Sequence, residues 1–155
     1  MRVSKTIGRV LKIGTLWCTL GLIGSVLLQI YARFFMDNAP SWTEEASRLL
    51  FIYAVSFASG LAVKNRYYVH LDTFYNSFGT RLKKNLILII PIVNFILFGV
   101  LTIYSIKFVI LGIPEKSPSL GFSMAFAFCS ISIMGLSVCF YTYKEIIRAL
   151  KNNKG

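Results

Sequence analysis

The sequence predicts an all-α integral membrane protein: four transmembrane helices, both termini in the cytoplasm, and an interfacial amphipathic helix between helices two and three. Three observations carry that prediction. The mean hydropathy is +0.65 and only 15% of residues are charged, against roughly 25% in a soluble domain. Four apolar stretches, near 13–30, 46–63, 86–113 and 120–143, each meet the ~17–25 residues that carry a helix across a hydrocarbon core. The basic residues alternate in place, with four in Arg2 to Lys12, five in Lys64 to Lys84 and four in Lys144 to Lys154. The links 31–48 and 112–120 hold only Arg33, Arg48 and Lys116, beside Asp37, Glu44, Glu45 and Glu115. Under the positive-inside rule the basic regions face the cytoplasm and the acid-containing links face outside.

The expected layout is a single four-helix membrane domain over residues 1–155, with helices about 13–35, 42–64, 86–113 and 120–148. Helix one follows a basic segment, as a signal peptide does. Its apolar run exceeds the ~7–15 residues of an h-region and no small-x-small site precedes Arg33, so it reads as a retained helix. Gly14, Cys18, Gly21 and Ser25 fall on one face of it. Helix two carries Ser56 and Gly60, with Ala54, Ala58 and Ala62, in similar rows. Such small residues let helices approach closely where water supplies no hydrophobic drive, so these positions are read as helix-packing residues.

Between helices two and three, about residues 67–83, Leu71, Phe74, Tyr75, Phe78 and Leu82 follow the helical period among polar residues. That is the pattern of a helix lying at headgroup depth. In helix three, Pro91 predicts a kink or an unwound entry. Lys107, near the other end, has a stem long enough to snorkel to the headgroups.

The net charge of +11 is placed to meet anionic phospholipid, so nucleic acid is not needed as a partner. No Asp, Glu, Arg or His stands in the middle of a span, which argues against a self-sufficient pump. Cys18, Cys129 and Cys139 form no C-x-x-C, and the one histidine, His70, has no Cys/His cluster around it. Neither a phosphate loop nor a G-x-S-x-G is present. The expectation is therefore no enzyme, no cofactor and no metal. The alternatives are a small membrane enzyme using His70 and Asp72 at the cytoplasmic interface, or an unrelated four-helix scaffold.

Ser41-Trp42-Thr43-Glu44 has the form of a capping box before an apolar run, and Arg48 follows Glu44 at i+4. Trp42 suits the water–lipid boundary. Glu45 is an acid that the box does not need.

The runs QIYARFF (Gln29–Phe35) and PSWTEEASRLLFIYAVSFASG (Pro40–Gly60), with the basic turn leading to His70, resemble the small membrane subunit of tripartite ATP-independent periplasmic (TRAP) transporters, the DctQ-like family. Arg33, Trp42, Glu45, Arg48 and His70 stand at the matching positions. The chain departs from the family in having Phe74 where an acid is frequent, with Asp72 as the nearby acid, and Ser77-Phe-Gly-Thr in place of a Leu-Pro. It also lacks a later proline after SPSLGFS.

The resemblance implies a bacterial inner-membrane accessory subunit of a sodium-coupled symport system for organic acids, such as sialic acid or C4-dicarboxylates. Its partners would be a large membrane subunit that moves substrate and a periplasmic substrate-binding protein. The small subunit would brace the static scaffold. Arg33, Trp42, Glu45, Arg48, His70 and Asp72 become structural or partner-interface candidates, with Glu45 and Arg48 tying helix two either to Arg33 or to the large subunit. Asp37, Asn38, Glu115, Lys116 and Ser117, at the outer links, become candidates for docking the binding protein.

Overall fold

A computed structural model describes residues 2–36, 41–65 and 80–152. Four helices stand among them: α1 (Arg2–Phe35), α2 (Trp42–Asn65), α3 (Thr80–Gly112) and α4 (Ala125–Asn152). Each contains a segment long and apolar enough to cross a membrane. Arginine and lysine are good helix formers, so α1 extends back to Arg2, through the basic segment, rather than starting near residue 13. For the same reason α3 begins at Thr80, and residues 80–83 of the expected interfacial helix form its first turn. The remainder of that segment, 67–79, lies outside the described residues, as do His70 and Asp72. The helix runs unbroken through the buried Pro91, so the entry is not unwound there.

The helices form a row in the order α1, α2, α4, α3. A Cβ added at Gly14 would touch the Phe57 ring and one at Gly21 would touch Leu50. Advancing along α1 therefore means retreating along α2, and the two are antiparallel. Thr102 packs on Gly135, and Phe95 lies against Cys139 and Tyr143, so α3 and α4 are antiparallel as well. Between them α2 and α4 run parallel, with Tyr53 beside Phe126 and Gly60 beside Ser137. The start of α1, the end of α2, the start of α3 and the end of α4 share one end of the row.

Small and hydroxyl-bearing residues fill the seams. Ala32, Ala54, Ser56, Ser105, Ser130, Ser137 and Thr142 are all buried, whereas most large apolar side chains point outward. That inversion of a soluble core follows from the solvent: lipid accepts leucine as readily as the interior does, so seams select for close approach. Backbone carbonyls one turn earlier absorb most of the hydroxyl donors. Thr15 donates to Leu11 O, Ser56 to Ile52 O, Thr102 to Phe98 O and Ser137 to Met134 O, at 2.6–3.0 Å.

Gly60 and Gly135 mark two close approaches between helices. A Cβ at Gly60 would lie 2.6 Å from Ser137 Oγ and 2.9 Å from Leu11 Cδ1. One at Gly135 would strike Thr102 Oγ1 and lie 3.3 Å from the Thr102 Cα.

Candidate functional site

At the end of the row opposite the chain termini, residues 113–124 join α3 to α4 as a small self-bonded turn. Ser117 N–H donates to Phe122 O at 2.8 Å, Gly121 N–H to Ser117 O at 3.0 Å and Met124 N–H to Glu115 O at 2.9 Å. Lys116 and Ser123 face each other as an isolated antiparallel bridge. Gly121 has a φ of +70°, a left-handed conformation that suits glycine because a Cβ would crowd the backbone. This turn explains why α4 begins at Ala125 rather than near Leu120. Ser123 then joins the two helix ends: its Oγ accepts from Ala125 N–H at 3.2 Å and lies 2.8 Å from Gly112 O and 3.1 Å from Ile113 O, to which it donates. One hydroxyl thus satisfies an orphan amide of α4 and a terminal carbonyl of α3.

Glu45, in the first turn of α2, closes this arrangement. Its Oε2 accepts from Ser117 Oγ, from Ser119 N–H at 3.2 Å and from Leu120 N–H at 3.0 Å. A carboxylate is the fitting acceptor for three converging donors, because charge-assisted hydrogen bonds are about twice as strong as neutral ones. The clasp links α2 to the α3–α4 turn across more than seventy residues of sequence.

Glu45 therefore does not tie α2 to Arg33; its partners are the hydroxyl and amides of the α3–α4 turn. Arg33 is exposed at the end of α1 and makes no ion pair among the described residues. Arg48 pairs at 3.1 Å with Glu44, not Glu45, and both of those side chains are largely solvent-facing. Ser117 is only 5% exposed. Its side chain belongs to the clasp, so it offers no surface for an external protein. Glu115 and Lys116 are exposed beside it. Asp37 and Asn38 lie outside the described residues. Trp42 is half-exposed at the start of α2. Of the packing candidates, Ser56 and Gly60 are buried, and Gly14, Cys18, Gly21 and Ser25 are half-buried on α1. Lys107 is exposed with its Nζ 5.4 Å from the Tyr104 ring centroid, a cation–π distance.

Two of the hydrogen bonds that join helices in the apolar zone involve residues the sequence reading did not single out. Tyr53 OH donates to Phe126 O at 2.7 Å, linking α2 to α4. Ser105 and Ser132 meet at 2.8 Å between α3 and α4. Ser105 Oγ also lies 2.7 Å from Thr102 O, so one hydroxyl proton of the pair can bridge the two serines while the other bonds a backbone carbonyl. Tyrosine and serine in apolar runs are the only sequence signal for such links, and that signal does not say which helix is bonded. Among the described residues no group of three or more His, Cys, Asp or Glu is placed to hold a metal ion.

The chain's arrangement is thus a row of helices clasped at one end, with apolar outer faces. The family profile for the DctQ component of tripartite ATP-independent periplasmic transporters matches residues 22–152. The chain belongs to the DctQ family. A protein of Haemophilus influenzae named as a TRAP transporter small permease protein is 23% identical over 158 residues, covering 99% of this chain and 93% of the relative. The sialic acid TRAP transporter small permease protein SiaQ of Vibrio cholerae is 22% identical over 149 residues, covering 96% and 86%. This DctQ-family chain is accordingly a small TRAP permease component, a class of transporter subunit and not a class of enzyme.

Proposed function

We propose that this DctQ-family chain is the static brace of an ion-gradient-driven uptake system for organic acids, lying in the inner membrane with both termini cytoplasmic. It would hold a large transport subunit in place, and its clasped end would face the periplasmic binding protein. The observation that carries the reading is the pair of apolar faces at the ends of the row. On α1 the exposed side includes Trp17, Leu20, Leu27 and Tyr31; on α3 it includes Val100, Ile103, Ile110 and Leu111. No acid or histidine interrupts the middle of any span. A mover of ions or anions needs such groups at the midplane; a brace needs seams, anchors and an apolar flank. The sialic acid in the name of the Vibrio cholerae relative supports an organic acid as cargo. Arg33, Trp42 and Arg48, exposed at one end, are the described candidates for the large subunit, and His70 and Asp72, outside the described residues, remain proposed with them. Glu115 and Lys116 remain candidates for the binding protein.

Co-expression of this chain with a large TRAP membrane subunit from the same genome tests the reading. Tagging this chain and purifying in mild detergent should recover both subunits, and deleting it should abolish solute uptake by the large subunit. Purification of the chain alone, or full uptake in its absence, would overturn the brace.

A further inference from the structure

At the end of the row that carries the chain termini, α1, α2 and α4 enclose a cleft lined by Ser4, Val63, Lys64, Tyr141, Lys144, Glu145 and Arg148. An adjoining hollow adds Lys5 and Ile147. Three cations, Lys64, Lys144 and Arg148, thus line the cleft with one carboxylate, Glu145, which is itself engaged in the structure, and Lys5 stands in the adjoining hollow. The frame is built rather than incidental. Tyr141, 5% exposed, donates its OH to Ser4 O at 3.1 Å and so fixes α1 against α4. Lys144 Nζ sits 4.5 Å from the Phe140 ring centroid, which holds the ammonium over an aromatic face. Lys64 lies across Gly8, where a Cβ would come within 2.8 Å of Lys64 Cε and strike its Nζ. The missing side chain at Gly8 is what lets Lys64 fold inward over α1.

Position then selects the ligand. The cleft lies at the ends of the apolar helices that begin at Ser4 and end at Asn65 and Lys151, and the end of an apolar helix is where a span meets the headgroups. The adjoining hollow carries the outward-facing apolar side chain of Ile147. Cations at headgroup depth beside an apolar flank match a molecule with a phosphate at one end and acyl chains at the other. Arginine contributes a planar fork that meets phosphate oxygens in pairs, and each lysine a mobile point charge. We propose that this cleft is a fixed binding site for the phosphate headgroup of an anionic phospholipid, with Lys64, Lys144 and Arg148 on the phosphate, Lys5 at the mouth and Ile147 against the start of an acyl chain. Interhelical basic pockets at a membrane face recognise anionic lipid in this way.

Native mass spectrometry of the full chain in a neutral detergent, titrated with phosphatidylglycerol or phosphatidylcholine, tests the site. Wild type should retain one phosphatidylglycerol at a concentration about tenfold below that needed for phosphatidylcholine. The pair Lys64→Gln and Arg148→Gln should weaken that binding by on the order of tenfold or more, at about 1 kcal/mol per cation near an anionic surface. Removing the same charge elsewhere, with Lys107→Gln and Lys116→Gln, should leave it unchanged. Gly8→Ala keeps every charge and displaces only the flexible end of Lys64, so it decides the matter should the double variant lose its helical circular dichroism. It should weaken phosphatidylglycerol while preserving the helical signal. Equal retention of the two lipids, wild-type binding by Gly8→Ala or by a folded Lys64/Arg148 variant, or equal loss in the Lys107/Lys116 control would overturn the site. Displacement of the lipid by millimolar inorganic phosphate would overturn its assignment to a lipid.

Discussion

Two adjacent glutamates at the start of α2 have different work. Glu44 pairs with Arg48 on an exposed helical surface, where an ion pair contributes little because water screens it and two long side chains must be ordered. Glu45 holds one hydroxyl and two backbone amides of a distant turn. Thermal unfolding of the purified chain in detergent should therefore fall clearly for Glu45→Ala and hardly move for Glu44→Ala. Glu45→Gln should lie between, since its amide oxygen still accepts but without charge. Amide exchange at Ser119 and Leu120 should quicken in Glu45→Ala and stay slow in Glu44→Ala; equal behaviour of the two variants would remove the clasp from any account of stability. The sequence makes Glu45 conspicuous as an acid left over from a capping box. It does not reveal the partner, because a search by opposite charge leads to Arg33. The true donors are uncharged groups that converge only once Gly121 turns the link back on itself.

At the scale of the helices, packing is decided by where a side chain is missing. Gly60 and Gly135 have neighbours where a Cβ would be, while nothing lies within 4 Å of such an atom at Gly24 or Gly99. Gly60→Ala and Gly135→Ala should each destabilise the isolated chain by about 1–3 kcal/mol, the usual cost of overpacking. Gly24→Ala and Gly99→Ala should leave it unchanged or more stable by about 0.5–1 kcal/mol, the helix propensity of alanine over glycine. If α1 and α3 flank the large subunit, these last two should also be the variants that alter recovery of the assembled pair. Ser123→Ala should cost about 1 kcal/mol, as lost N-caps do, read as a lower unfolding midpoint. The four spans were legible from hydropathy because lipid imposes length and composition directly. Their ends were less so. Hydropathy falls where charge begins, but α1 and α3 continue as helix into basic residues, and α4 waits for a turn whose hydrogen bonds no hydropathy scale records.

The molecule as a whole is a row with two chemically different ends. One end gathers Lys5, Lys64, Lys144 and Arg148 around a cleft; the other holds the Glu45 clasp with Glu115 and Lys116 exposed beside it. The alternation of charge along the sequence made this division readable, since antiparallel neighbours bring alternate links to the same end. What the alternation does not supply is the order α1, α2, α4, α3, which comes from the side-chain seams: Gly60 on Ser137 brings α2 to α4 rather than to α3. The proposed orientation, with the basic end in the cytoplasm, can be tested directly. A cysteine at Lys116, in a chain whose Cys18, Cys129 and Cys139 are replaced by serine or alanine, should react with a membrane-impermeant maleimide on intact spheroplasts. A cysteine at Lys151 should react only after the membrane is opened. The opposite pattern would invert the protein, turning the clasp toward the cytoplasm and removing Glu115 and Lys116 from reach of any periplasmic partner. The lipid cleft would survive that inversion, because it depends on where the cations stand relative to the headgroups and not on which leaflet supplies them.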